Sequence, residues 1–279
     1  MEITNFNQKV ELENSGNLQL FFVGTGSAFN KTKFQNNLLV IKGKNHILID
    51  CGTLCPYALS KYNTPIQKIK AVLPTHSHAD HIGGIEELIF SNMYISSTKP
   101  KIIITDEFKK KLWNSSLKGG ISLGEQNGIA KKMRFEDYFE QIKPKPLKNT
   151  LRPMYEIFYG DIKLTLFRTI HIPSSSKNWK KIFYSVGVLI DDKILFTGDT
   201  RFDPKLINYF SQNYKLEAIF HDCQFFCGGI HTFYEDLKSL PQEIKKILYL
   251  CHYGENYEEF SPQKDGFAGF AEPGIYYNF

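Results

Sequence analysis

Short apolar runs rich in Val, Ile, Leu and Phe recur along the whole chain, separated by polar or glycine-bearing turns. They read as strands near residues 18–23, 37–42, 46–50, 69–74, 101–105, 162–170, 183–190, 193–198, 217–220 and 247–251. Several, such as Ile47-Leu48-Ile49, are apolar at consecutive positions, as a strand covered on both faces requires. Helical stretches fall near 84–92, 106–113, 204–211 and 233–246. The succession fits two βαβ-type halves and predicts an α/β fold, an αββα sandwich of two mixed sheets face to face with helices outside. No linker or short-period repeat divides the chain, so one domain over residues 1–279 is expected. Residues 114–160 are the least regular portion, rich in Gly, Lys and Pro. They are expected to form a lid or insertion beside the site, with a plain surface loop as the alternative.

Composition narrows the class. With 279 residues, 42% hydrophobic content and 23 Phe, the chain can bury a sizeable core. No apolar run is long enough to span a bilayer, and residues 1–20 lack a basic start followed by an apolar stretch, so a cytoplasmic, non-membrane protein is expected. Five cysteines in a chain of this size point to reduced thiols. The Cys51/Cys55 and Cys223/Cys227 spacing is not the zinc-ribbon pattern and reads as small buried residues. A net charge of +5, almost wholly from lysine, permits an anionic substrate without demanding one, and no basic run resembles a nucleic-acid arm.

The chemistry is concentrated in residues 75–81, Thr-His-Ser-His-Ala-Asp-His, between the apolar run ending at Leu73 and the pair Gly83-Gly84. His76, His78, Asp80 and His81 can converge from a strand-to-helix loop on a single ion. Imidazole nitrogen with carboxylate oxygen suits zinc, with iron or manganese as alternatives.

The spacing His76-x-His78-x-Asp80-His81 resembles the signature of the metallo-β-lactamase-fold hydrolases. Further positions match that pattern: Asp50 after Ile47-Leu48-Ile49, His171 after the run 164–170, Asp199 in Phe196-Thr197-Gly198-Asp199-Thr200, and His252 after Ile247-Leu248-Tyr249-Leu250-Cys251. The resemblance implies two divalent cations. One would be held by His76, His78 and His171, the other by Asp80, His81 and His252, with Asp199 bridging and Asp50 orienting the site. Asp80 also stands among the catalytic candidates. Of eight histidines this leaves His46, His221 and His231 outside the ligand set.

Val23-Gly24-Thr25-Gly26-Ser27-Ala28 looks like the first-strand turn of the ribonuclease Z branch; it lacks the phosphate-loop spacing and reads as structural, its glycines being free to adopt positive φ. His221-Asp222 and His231-Thr232 resemble that branch's two histidine blocks, with Asp in place of Glu in the first. His231 is therefore the candidate acid that protonates a leaving alkoxide, with Asp222 as its orienting partner; a helix-capping His231 is the alternative. The Asp-for-Glu exchange and the lack of a tRNA-clamping arm count against tRNA processing. The stretches 112–120 and 265–270 resemble the anti-Pycsar phosphodiesterases, which cleave small cyclic nucleotides.

The resemblance thus implies hydrolysis of 3′,5′-cyclic nucleotides to 5′-monophosphates by a hydroxide bridging the two cations, in a homodimer. The alternatives are a ribonuclease Z-like tRNA 3′-end endonuclease, with RNA as substrate, and a thioester or lactam hydrolase. Trp113, Phe267 or Phe270 could stack on a base, though core packing is the more ordinary use of each.

Overall fold

The computed structural model describes residues 1–173, 176 and 178–279. The apolar runs pair into two eight-stranded mixed sheets, as the sequence predicts. The first runs Glu2–Asn5, Ile275–Asn278, Gln19–Gly24, Asn37–Lys42, Asn45–Ile49, Ala71–Leu73, Lys101–Ile103 and Glu140–Ile142. The second runs Lys145–Pro146, Met154–Tyr159, Ile162–Arg168, Val186–Ile190, Ile194–Phe196, Ala218–Asp222, Leu248–Cys251 and Gly269–Phe270. In each, an antiparallel half gives way to a parallel half, at Asn45–Ile49 in the first and at Ile194–Phe196 in the second.

Inward residues of both sheets meet in one core, where Phe22 lies 4.9 Å from Phe220 and 5.8 Å from Tyr277, ring to ring. A second cluster lies under the helix Pro204–Asn213. That helix starts with Pro204, whose missing N–H costs nothing there, and the Asp203 side chain accepts the Leu206 N–H. It buries Leu206, Ile207 and Phe210, and Phe210 packs 4.6 Å from Phe167 on the sheet. Burying each such side chain stabilises the fold by about 1.5–3 kcal/mol.

The structure differs from the sequence expectation in definable places. The helix expected over 233–246 is two short ones, Tyr234–Lys238 and Gln242–Lys245, because Pro241 supplies no N–H and disfavours helical backbone before it. The stretch 114–160 is more regular than its composition suggests: Glu140–Ile142 and Met154–Tyr159 are strands of the two sheets, while the hairpin Leu123–Gln126/Ile129–Lys132 stands outside them. Gly24 and Gly26 are not in positive-φ backbone. Their role is close approach: a Cβ on Gly24 would sit 2.2 Å from the Gln35 carbonyl oxygen, and one on Gly26 2.5 Å from Asn30. Among the described residues, no helix is long and apolar enough to cross a membrane.

Candidate metal centre

Strands of both sheets deliver their chemistry at one edge, which is where open α/β sheets collect functional groups. Asn45–Ile49 ends at Asp50, Ala71–Leu73 leads into the loop carrying His76 and His78, and Ile162–Arg168 leads to His171. Ile194–Phe196 precedes Asp199, Asp222 closes Ala218–Asp222, and His252 follows Leu248–Cys251. Asp80 and His81 lie on the one-turn helix Ala79–Ile82. Asp50 and His252 adopt left-handed backbone, with φ of 64° and 60°. Such conformations cost about 1–3 kcal/mol and persist only where the surroundings impose them. Here a Leu73 carbonyl takes the Asp50 N–H, and the Thr25 carbonyl takes the His252 N–H at 2.7 Å.

The donors fall into two groups that share Asp199. In the first, His76 Nε2 lies 3.0 Å from His78 Nδ1, which lies 3.3 Å from His171 Nε2. Asp199 Oδ2 is 3.6 Å from His76 Nε2 and 3.8 Å from His171 Nε2. In the second, Asp80 Oδ2 is 3.2 Å from both His81 Nε2 and His252 Nε2, and Asp199 Oδ2 lies 3.3 and 3.6 Å from those nitrogens. All seven residues expected as ligands are therefore brought together, with each group's donor atoms within 4.8 Å of one another. A third overlapping group joins Asp199, Asp222, His231 and His252.

A divalent cation fits these donors. His81 Nε2 and both oxygens of Asp199 are buried with no hydrogen-bond partner, an expensive arrangement unless an ion takes them. Ligands about 2.0–2.1 Å from a tetrahedral zinc stand about 3.3 Å apart, close to the spacing of the ring nitrogens in the first group. With His76 and His171 buried, their imidazoles are held neutral, the form that coordinates. Burial pulls His171 down to about 4, against the pull of Asp199, and lowers His76 well below its ordinary value. Burial also opposes charge on His81 and His252, but Asp199 and the other nearby carboxylates raise both well above theirs. Asp80, buried beside His81 and His252, is held well below the usual carboxylate range by them.

Neighbouring groups fix the orientation of these donors. Asp50 Oδ1 accepts the Thr75 N–H at 2.6 Å and Oδ2 accepts the Thr75 hydroxyl, while Oδ2 also meets His81 Nδ1 at 2.6 Å. Such a carboxylate–histidine contact sets the tautomer so that Nε2 faces the ion. Phe183 stacks on the His78 ring, centroids 4.9 Å apart. Beyond the two groups, His231 Nδ1 lies 2.9 Å from Asp222 Oδ2, which also accepts the Thr200 N–H at 2.9 Å. His231 Nδ1 is 3.7 Å from Asp199, and Asp222 Oδ1 faces His252 Nδ1 at 3.4 Å with neither atom hydrogen-bonded. The Gln224 amide oxygen accepts the His231 N–H, and the helix Tyr234–Lys238 has Phe233 at its N-cap with no side-chain cap bond, so His231 does not cap it.

Thr75, Thr200, Phe183 and Gln224 carry no signal in the sequence, since each is defined by a contact made only after folding. Other expectations resolve elsewhere. His221 is buried and contributes to none of the three groups; its Nδ1 meets the Asp222 carbonyl at 2.8 Å. His46 lies in the strand Asn45–Ile49, hydrogen-bonded on both ring nitrogens. The aromatics considered for base stacking are packing residues: Phe267 is buried in the second cluster, Trp113 packs on the main core, and Phe270 rests 4.8 Å from Tyr253. All five cysteines are free, and among the described residues no donor group includes one; Cys227, expected to be buried, is exposed.

Comparison with known proteins gives the family and the fold. Residues 18–277 match the family described as anti-Pycsar protein Apyc1. A protein of that description from Bacillus phage 010DV004 is 34% identical over 274 residues, covering 93% of this chain and 98% of the relative. Among solved structures, the metallo-β-lactamase fold protein YhfI from Bacillus subtilis superposes with a TM-score of 0.65 at 18% identity, covering 94% of this chain and all of that one. Human tRNase Z, short form, gives 0.59 at 16% identity, covering 93% and 98%. At such identities the structural likenesses establish the fold, which is the metallo-β-lactamase fold.

Proposed function

The chain belongs to the anti-Pycsar Apyc1 family, and from that premise we propose that it is a metal-dependent phosphodiesterase that hydrolyses 3′,5′-cyclic nucleotides to 5′-monophosphates. The observation that carries this reading is the His231–Asp222 pair, 2.9 Å apart, beside the carboxylate shared by the two donor groups. A thioester expels a thiolate, which leaves without protonation; a poor alkoxide leaving group calls for an acid.

In this reading His76, His78 and His171 hold one divalent cation, Asp80, His81 and His252 a second, and Asp199 both. Zinc suits the nitrogen-rich set, with manganese or iron as alternatives. When bound, the cations supply fixed positive charge to the phosphoryl oxygens and lower the pKa of water. Asp50 and Thr75 hold His81 to one tautomer, so the donor set is organised before substrate arrives. Asp80, buried and ionised, adds to the negative charge that retains the cations. Asp222 accepts a hydrogen bond from His231 Nδ1–H, which orients the ring so that a proton held on Nε2 passes to the departing 3′ oxygen and a neutral imidazole remains. The Thr200 N–H keeps Asp222 in place as that proton moves. A cytoplasmic homodimer belongs to the same proposal. The exposed Met93, Tyr94 and Ile95, an apolar face that a second copy would cover, support the dimer.

The test is a substrate panel with the metal-loaded protein: 3′,5′-cyclic nucleotides, precursor tRNA and a thioester, repeated with His231→Ala. Turnover of the cyclic nucleotides with strong loss in the variant is expected. Thioester turnover indifferent to His231 would overturn the assignment.

A further inference from the structure

Two of the aromatic side chains that share a cavity with His231 stand in solvent. Phe29 is 86% exposed and Phe226 is 64% exposed. Both line one cavity of about 140 Å³ whose wall also includes His231 and His252. A pocket that encloses a whole drug-sized ligand holds roughly 300–1,000 Å³, so this one suits a single flat ring system.

Neither ring hangs on a slack loop. After Phe29, the buried Asn30 closes its turn: Oδ1 accepts the Thr32 and Lys33 N–H groups, and Nδ2 donates to the Tyr253 carbonyl. The Ser27 N–H donates to the same carbonyl, tying this turn to the segment that carries His252. In the other loop, Gln224 Nε2 donates to the Phe226 carbonyl at 2.7 Å while its Oε1 accepts the His231 N–H at 3.2 Å. One side chain thus fixes Phe226 and His231 relative to each other. A single exposed phenylalanine is ordinary. Two on braced turns around one cavity, next to the candidate proton donor, form a prepared apolar surface. Of the polar side chains in the wall, the Gln224 amide is already committed to backbone, which leaves the Ser27 hydroxyl and the Asn256 amide beside the rings.

We propose that this cavity is a base subsite in which Phe29 and Phe226 hold the heterocycle of a nucleotide by stacking. The proposal rests on the phosphodiesterase reading of the adjoining centre. Stacking accepts every base, so purines and pyrimidines both bind, purines more tightly through their larger face. Phe29 and Phe226 act on substrate binding and leave the chemical step alone.

The test uses the metal-loaded protein and its Phe29→Ala/Phe226→Ala double variant, whose core is untouched because both rings are exposed. Binding is read by fluorescence titration with etheno-adenosine 5′-monophosphate. Kinetics are read on cyclic AMP, cyclic UMP and a base-free methyl riboside 3′,5′-cyclic phosphate. Expected are a Kd for the etheno nucleotide and a KM for both cyclic nucleotides about ten- to a hundredfold higher. The kcat values and the base-free substrate should change by less than about twofold. Tyrosine at both positions should restore binding. An unchanged Kd, or an equal loss on the base-free substrate, overturns the subsite. If the unaltered protein hydrolyses no cyclic nucleotide, the phosphodiesterase reading fails instead, and the etheno-nucleotide titration still decides whether this cavity takes a base.

Discussion

His46 and His81 are both buried and both approached by a neighbouring strand or loop, yet they stand in opposite conditions. His46 Nδ1 meets the Leu12 carbonyl at 3.1 Å and its Nε2 accepts the Lys70 N–H at 3.1 Å, so each ring nitrogen is used once. Burial, with Lys70 nearby, pulls it down to about 4, and it serves as a neutral bolt between the N-terminal segment and the first sheet. His81 spends Nδ1 on Asp50 and leaves Nε2 without a hydrogen bond, although Asp80 and Asp199 lie 3.2 and 3.3 Å away. Burial alone therefore distinguishes nothing. A saturated buried imidazole is structural, and an unsaturated one aimed at other unsaturated donors marks a place for an ion.

The contrast can be broken at several strengths. The largest effect is expected at the shared carboxylate: Asp199→Asn should lower turnover of cyclic nucleotides by at least about a thousandfold and reduce bound metal by elemental analysis. His46→Gln should leave both nearly as they were. Metal loss in the His46 variant would erase the distinction between the two environments.

His231→Ala should reduce kcat by about a hundred- to ten-thousandfold while metal content stays unchanged. Because His231 Nδ1 also falls within reach of Asp199, the metal measurement sharpens the picture. A variant that loses metal along with activity would make His231 a ligand instead of a proton donor. Asp50→Asn disturbs only the partner of His81, and titration with a competing chelator should find metal held about ten- to a hundredfold more weakly.

A separate effect concerns His46 and is read in stability, not in activity. Its folded-state value of about 4 lies below the ordinary 6.5, so between these pH values the unfolded chain binds a proton that the folded chain refuses. Its contribution is intact above about pH 6.5 and is lost as pH falls towards 4, by up to about 3 kcal/mol. Urea midpoints at pH 7 and pH 4.5 should therefore converge in His46→Gln relative to the unaltered protein. An identical pH slope in both would contradict the assignment.

The sequence revealed what spacing and strand ends can encode. Four donors within residues 76–81 and single donors just beyond later apolar runs converge at one edge because parallel strands end there. The Asp222–His231 contact was suggested by neighbouring blocks nine positions apart. What escaped depends on distant partners. Thr75 becomes a brace only when it meets Asp50. The strand Met154–Tyr159, one place in from the edge of the second sheet and mostly half-buried, lies in a stretch whose Lys and Pro content read as irregular. Phe267 and Phe29 look alike in sequence, yet one is sealed in a cluster and the other is left outside. Only packing separates them.

The central claim is that the unsaturated donors around Asp199 are a two-ion centre. It is tested most directly by counting divalent metal per chain, by mass spectrometry of protein equilibrated with zinc or manganese and freed of excess. Two equivalents in the unaltered protein, falling to one or fewer in His76→Ala and in His252→Ala separately, is the predicted result. No bound metal, or two equivalents retained in both variants, would contradict it.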